Sequence, residues 1–420
     1  MKWMECVLFV MTSLLLFSTC GENVTGSNDE DPKGELPRDL TASEQKLVEA
    51  DRNFSYRIFR ETVAYDHEEE NIMISPLSIS MALAMALNGA EGETFDDMRE
   101  TLKLTGMDLD EINEAFESLT ELLMTVDPKV TMKIANSVWH RDGLPVKEDF
   151  LDRLEKHFGA QVEGLDFSDP AAVEKINSWV DKSTEGLISE IIDEIPPHMV
   201  MYLINALYFK GDWLRQFDSE NTRTADFHLE TGETTEVEMM SQKGLFATYM
   251  SGEVQMIELP YGDSLFSMTV IMPADPDTPI DSFINEKVTA ENLSEWRSNL
   301  RVDNREATVE LPKFELEYEI EYNDILKAMG MEIAFSESEA NFKGIADTAP
   351  QNLFIDNVKH KTFIRVDEEG TEAAAVTSVG IGVTSMPPQI MFNRPFVFII
   401  HERESGANLF MGKVKNPDLE

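Results

Sequence analysis

Glu368-Glu369-Gly370-Thr371-Glu372-Ala373-Ala374-Ala375-Val376-Thr377-Ser378-Val379-Gly380-Ile381-Gly382-Val383-Thr384-Ser385-Met386 is the segment on which the reading of this chain turns. Its alanines and glycines are the composition of a loop, yet every second residue sorts by polarity. Thr371, Ala373, Ala375, Thr377, Val379, Ile381 and Val383 form one set, able to pack on a core. Glu372, Ala374, Val376, Ser378, Gly380 and Gly382 form the other, with only Val376 out of place. An ordinary half-exposed strand shows the same alternation. Two glycines weaken a permanent strand, however, and Pro387-Pro388 ends the pattern abruptly. Small residues after Gly370 suit a chain that bends and then slips between two strands already paired, so the segment reads as an insertable loop.

Outward from it, residues 389–400 and 408–414 are strand-like runs around Glu404-Ser405-Gly406, the pattern of a buried hairpin. Upstream, 199–209 is a long β-compatible run, followed by shorter strands at 254–259, 267–272 and 307–311. Before Pro196 the periodicity is mostly helical. Thr41-Ala42-Ser43-Glu44 has capping-box spacing ahead of Leu47, Phe54 and Ile58. A short strand at 71–75 leads to Ser75-Pro76, which opens an apolar, buried helix at 77–87. Residues 108–126 are amphipathic, 130–139 strand-like and 147–158 helical, and Asp169-Pro170 starts a helix bearing Ile176, Trp179 and Val180. Helices first and strands after is the α+β signature. No repeat or second linker interrupts the chain, so one domain is expected from about residue 41 to 420.

The 420 residues are 42% hydrophobic and 27% charged, which is globular composition. Asp and Glu number 79 against 35 Lys and Arg, a net charge of −44 that repels nucleic acid, heparin-like sugars and anionic lipid. A solvated surface or adaptation to salt accounts for that acidity. Cys6 and Cys20 flank an apolar run at 7–19, too short to span a bilayer but suited to a signal-peptide core, so residues 1–19 read as an export signal despite Glu5. Leu16-Phe17-Ser18-Thr19-Cys20-Gly21 is similar to a bacterial lipoprotein signal, with Cys20 the candidate lipid attachment; Phe17 and Thr19 depart from that pattern. Residues 20–40 are acidic and punctuated by Gly26, Pro32, Gly34 and Pro37, which fits a flexible tether or a free tail. The expected location is outside the cell or on its envelope, with a lipid anchor the only membrane contact.

There is no G-x-S-x-G elbow, H-E-x-x-H, P-loop or dinucleotide fingerprint. Seven histidines and no mature cysteine pair leave no pattern for structural zinc. An enzyme is the weaker hypothesis, and neither metal nor cofactor is expected.

With these residues assembled, the sequence resembles a serpin from about residue 41 to Pro417. The hinge Glu368, Glu369, Gly370, Thr371, Glu372, Ala373, Ala374 and Ala375 is similar to that of inhibitory members, Val376 being a mild departure. Residues 71–92 resemble the buried second helix and the turn after it. Asn205-Ala206-Leu207-Tyr208-Phe209-Lys210-Gly211-Asp212-Trp213 resembles the strand leading to the breach tryptophan, and Phe392-Asn393-Arg394-Pro395-Phe396-Val397-Phe398 resembles the C-terminal signature.

The resemblance implies about nine helices and three sheets, with residues 368–388 an exposed bait loop. In the family the cut follows the seventeenth residue counted from the first hinge glutamate, which places it at Thr384-Ser385; a slip of one residue would offer Val383 or Ser385 instead. Ser385, Met386 and Pro387-Pro388 fit the usual sequence after the cut. The resemblance also implies a breach ion pair between Glu368 and Lys313 beside Trp213, and a polar shutter of Ser75, Ser78, Asn205 and His360. Small aliphatic residues at the bait, Ile381, Val383 and Thr384 with Met386 beyond, point to a serine endopeptidase with a small or medium aliphatic primary pocket, elastase-like or subtilisin-like. The expected protein is a monomeric, irreversible inhibitor, with 371–384 free to enter the central sheet after cleavage. The alternative is a non-inhibitory member acting as carrier, chaperone or cell-surface scaffold.

Overall fold

In the computed structural model, which describes residues 34–68, 70–371 and 388–419, the expected local signals are formed. The Thr41 hydroxyl accepts from the Glu44 N–H at 3.2 Å while the Glu44 carboxylate accepts from the Thr41 N–H at 2.6 Å. That reciprocal cap starts the helix Ala42–Tyr65, whose Leu47, Phe54 and Ile58 are buried. Ser75 caps Pro76–Leu87, which is buried almost all round and forms a central spine. Asp108 caps Leu109–Thr125. The export signal expected at 1–19, Cys20 and most of the tether lie outside the described residues, as do Glu372, Ala373, Ala374, Ala375, Ile381, Val383, Thr384, Ser385 and Met386.

Among the described residues there are nine α-helices and three sheets, an α+β architecture with the expected numbers of both. The largest sheet has seven strands, in the order Asn71–Ile74, Asn408–Val414, Phe396–Glu402, Phe266–Pro273, Val254–Tyr261, Ala247–Met250 and Arg301–Val302. Its C-terminal hairpin is buried along both strands. A four-stranded sheet runs Gln389–Met391, Ala307–Pro312, Thr234–Gly244 and Arg223–His228.

The run expected as one strand at 389–400 is broken. Gln389–Met391 joins the four-stranded sheet and Phe396–Glu402 the seven-stranded one. Between them the Phe392 N–H donates to the Glu310 carbonyl, the Asn393 carbonyl accepts from His228, and Pro395 has no N–H to continue a ladder. The chain thereby changes sheets, which hydrophobicity alone does not mark. The helices Gly92–Thr101, Ile280–Lys287 and Ala290–Ser298 and the hairpin strands Arg223–His228 and Thr234–Gly244 are additional to the sequence reading.

The third, central sheet has the order Phe314–Glu321, Lys359–Val366, Gly370–Thr371, Met201–Asp212, Val130–Arg141, Gln161–Leu165. The two-residue strand Gly370–Thr371 is antiparallel to both neighbours, so Lys359–Val366 and Met201–Asp212 run parallel to each other. Among the described residues no ladder joins those two strands directly. Helix Ala171–Ser183 and the segment after it cover one face, where Trp139, Ile176, Val180, Ile188 and Met199 form a separate apolar cluster.

A net charge of −44 is a self-repulsion that solvent ions screen, whereas exposed ion pairs contribute little to oppose it. The melting temperature should therefore rise as NaCl increases from about 0.05 to 1 M, by several degrees; a flat or falling dependence would show that paired charges outweigh the surplus.

Candidate functional site at the head of the central sheet

Val366 ends one central strand, and Asp367 turns the chain back. The Asp367 carboxylate accepts from the Glu369 N–H at 3.0 Å and the Gly370 N–H at 3.3 Å. The next strand over supplies the outer wall. Trp213 Nε1 donates to the Asp367 carbonyl at 2.9 Å, Phe217 N to the Glu368 carbonyl at 2.8 Å and Trp213 N to the Glu369 carbonyl at 2.8 Å. Three consecutive hinge carbonyls are thus held by residues 213–217.

The Glu368 side chain meets Lys313 at 3.2 Å and accepts from the Thr222 hydroxyl at 2.7 Å. Desolvation alone would raise its pKa; the Thr222 bond and Lys313 outweigh it and hold the carboxylate below its ordinary range. Burial likewise pushes Lys313 down, and its contacts with Glu368 and Glu238 reverse the shift upward. Glu369 differs. Its Oε2 is buried without a hydrogen-bond partner, and desolvation, then Asp367, Asp212 and Glu368, raise its pKa.

Gly370 fits where no other residue would. A Cβ there would lie 2.2 Å from the Gly211 carbonyl oxygen, so the backbones touch directly. Thr371 pairs with Val366 on one side and Gly211 on the other. It is 4% exposed. One expectation changes as a result: Gly370 and Thr371, expected in an exposed loop, are buried. The cause is the pair of glycines, which lets one residue pass between the strands.

Below Thr371 the two parallel strands part around a cavity of approximately 790 Å³. Leu203, Asn205 and Leu207 line one side, His360 and Thr362 the other, and Ile188 covers it. Along its floor the Ser75 N–H donates to His360 Nε2 at 3.0 Å, and the Ser75 hydroxyl donates to the Leu409 carbonyl at 2.8 Å while accepting from Ser78 N at 3.4 Å. Because Nε2 accepts, the His360 proton is on Nδ1 and the ring is neutral; burial depresses its pKa to about 3.

Asn205 does not bond to this cluster. It stands across the gap, with Nδ2 donating to Asn136 Oδ1 at 2.7 Å and its own Oδ1 buried without a partner. The expected group of four is therefore three residues plus one on the facing wall, separated because the strands that carry them are unpaired here. Sequence reading also missed Tyr261, whose hydroxyl lies 2.8 Å from that of Thr371. Thr222 and Asn136 were missed as well, since each acts through a partner remote in sequence; Asp367 was missed although its carboxylate accepts from N–H groups only two and three residues on. Among the described residues no cluster of carboxylates, histidines or cysteines could hold a metal.

Unfolded histidine takes up a proton as the pH falls through about 6.5, whereas folded His360 stays neutral down to about 3. Its contribution to stability is full above 6.5 and is lost progressively below. From pH 7 to 5 the loss should be about 2 kcal/mol. His360→Asn should lack that slope when denaturant midpoints are compared at the two pH values; equal slopes in parent and variant would remove His360 as the cause.

Residues 49–417 match the family described as Serpin (serine protease inhibitor). Human neuroserpin is 34% identical over 365 residues, covering 84% of this chain and 87% of that protein. The thermophilic serpin tengpin in its native state superposes with a TM-score of 0.81 at 31% identity, covering 90% and 95% of the two chains. Human thyroxine-binding globulin gives 0.80 at 27% identity, covering 90% and 100%. A split central sheet with a hinge wedged at its head is thus the product of a sequence similar to these relatives over most of its length, and the chain belongs to the serpin family.

Proposed function

We propose that the protein is an irreversible, suicide-substrate inhibitor of serine endopeptidases, with residues 368–388 its bait loop and Thr384-Ser385 the bond attacked. The observation that carries this reading is the seating of Thr371 between two parallel strands that separate below it around a cavity.

The protease supplies the chemistry: its own nucleophile attacks the Thr384 carbonyl, its oxyanion hole holds the tetrahedral intermediate and its histidine moves the proton. The inhibitor contributes no catalytic group. Once the Thr384-Ser385 bond is broken, residues 372–384 are free to continue the strand begun at Thr371. Thirteen residues at about 3.3 Å each carry the acylated protease on the order of 43 Å along the sheet. Serpin loop insertion is a known instance both of strand addition to a sheet and of stored strain released by proteolysis. Uncleaved, the chain is a kinetic trap, since the more stable arrangement holds one more strand.

Ile381, Val383, Thr384, Ser385 and Met386 favour a target whose primary pocket takes a small or medium aliphatic side chain, of elastase or subtilisin type. Glu368, Lys313 and Trp213 act as the breach that holds the head of the sheet, and Ser75, Ser78, His360 and Asn205 as the shutter through which the strands part. Residues 1–19 serve as a bacterial export signal, Cys20 as a lipid attachment and 20–40 as a tether ahead of a monomeric inhibitory domain. Likeness to a thyroxine-binding protein supports one second reading, a non-inhibitory carrier.

Incubation with pancreatic elastase separates the two. An inhibitor gives an adduct that survives SDS and releases a peptide beginning at Ser385, and its nicked form melts at a higher temperature than the intact one. A carrier is cut cleanly with no adduct. Thr371→Arg, which puts a charge at a buried position, should reduce adduct by at least about tenfold in favour of plain cleavage. Undiminished adduct from that variant would overturn the hinge assignment.

A further inference from the structure

Asp51 lies on the inner face of helix Ala42–Tyr65, only 3% exposed, where that helix packs on the buried helix Pro76–Leu87. Its carboxylate meets only hydroxyls. Oδ1 accepts from the Ser80 hydroxyl at 2.7 Å and Oδ2 from the Ser55 hydroxyl at 3.5 Å, and among the described residues Asp51 enters no ion pair. None of the twelve residues of Pro76–Leu87 is ionisable. Arg52, next in sequence, is the cation that acts on Asp51, and its guanidinium lies against Gly406. Charges on the other elements packed around Ala42–Tyr65 are engaged elsewhere: Glu111 with Lys46, Asp281 with Lys413 and Arg297 with Asn408. Asp324 likewise meets Lys327. A carboxylate so enclosed, with no cation paired to it, is costly to keep ionised.

Ser80 adds a second constraint. Its Oγ lies 2.7 Å from Asp51 Oδ1 and 3.0 Å from the Leu77 carbonyl, yet the hydroxyl has one proton to give. While Asp51 is ionised, that proton serves one acceptor at a time. Once Asp51 is protonated, the carboxyl donates to Ser80 Oγ, Ser80 donates to the Leu77 carbonyl, and both acceptors are served. We propose that Asp51 is a proton-binding site built into the contact between the two helices, and that taking up a proton in mild acid completes the chain from Asp51 through Ser80 to Leu77 and tightens the packing of Pro76–Leu87 on Ala42–Tyr65. Burial acts in the same sense: desolvation pushes the carboxyl up to about 6, against the lowering effects of the Ser80 and Ser55 hydrogen bonds and of Arg52. The folded value stands above the roughly 3.9 of an unfolded aspartate, so the stabilisation is full below about 3.9 and is lost as the pH rises through 6. His360, which accepts from the N-cap residue Ser75 of the same helix, works the other way and loses its contribution in acid. The helix is thus held more from its cap at neutral pH and more from its flank in acid, and none of this depends on the inhibitory reading.

The test follows the carboxyl directly. In the uncut protein labelled with carbon-13 aspartate, the side-chain carboxyl resonance that is missing from Asp51→Asn should titrate with a midpoint near 6, well above that of an exposed aspartate. Ser80→Ala removes the nearest donor to the anion and should move that midpoint higher still. Amide hydrogen exchange in the peptide spanning residues 76–87, corrected for intrinsic rates, reports the packing. Between pH 7 and pH 5 the parent should gain about tenfold in protection there relative to Asp51→Asn, a comparison in which the effect of His360 cancels. Helix Ala171–Ser183, remote from the contact, should keep the same parent-to-variant ratio at both pH values. A midpoint near 4, or a ratio at 76–87 that does not change with pH, would overturn the proposal. Should Asp51→Asn fail to fold, the resonance displaced in Ser80→Ala identifies Asp51 instead, and the absence of any displaced resonance titrating above pH 5 would overturn the proposal equally.

Discussion

The close approach of Gly370 to the Gly211 carbonyl is the constraint on which the head of the molecule depends. Any side chain at Gly370 would drive into backbone, and backbone cannot swing aside as a flexible side chain can. With the approach allowed, one threonine enters between two strands and supplies ladder partners to both. Without it, Val366 and Gly211 would face each other with unmade hydrogen bonds, or the sheet would have to close along its whole length and remove the cavity below. The wedge and the gap are two aspects of one packing decision.

The two ends of that gap are held by different physics. At the head, charge and backbone carbonyls do the holding: Lys313 and Thr222 on Glu368, and residues 213–217 on the three carbonyls that precede Gly370. Farther down, neutral hydrogen bonds around Ser75 and His360 tie one strand to the N-terminus of the buried helix Pro76–Leu87, while Asn205 on the facing strand donates to Asn136 Oδ1 and, at 3.8 Å, to Met81 Sδ in the same helix. Each wall is anchored to its own neighbours, not to the other. No hydrogen bond described in this network runs from one wall directly to the other, and Asn205 Oδ1 is buried without a partner.

Much of this was legible in the chain. Capping at Thr41 and Ser75 is local chemistry, readable within four residues, and the helices begin where those residues stand. Glu368, Lys313 and Trp213 were grouped by family resemblance, and the structure brings them together. The alternation beginning at Thr371 correctly placed that residue facing inward. Other features depend on partners far away in sequence. The break at 392–395 reflects the Glu310 and His228 backbones, and Tyr261 lies 110 positions from the threonine it meets. Nothing within a window of about ten residues distinguishes Tyr261 from any other buried aromatic at a strand end. The gap itself is an absence of pairing between strands that each look, in sequence, fully competent to pair.

Adjacent glutamates at the hinge show how such a seam can be firm and strained at once. Glu368 and Glu369 are neighbours in the turn that joins Val366 to Gly370, yet they meet different surroundings. The first finds a lysine and a hydroxyl and stays ionised more readily than in water. The second finds Asp367 and Asp212, keeps one oxygen buried and unpartnered, and is pushed toward its neutral form. One residue is held by a cation and a hydroxyl, while its neighbour is disfavoured as an anion, first by desolvation and then by the carboxylates around it. The hairpin Phe396–Glu402 and Asn408–Val414 is, by contrast, paired along its length and buried on both strands.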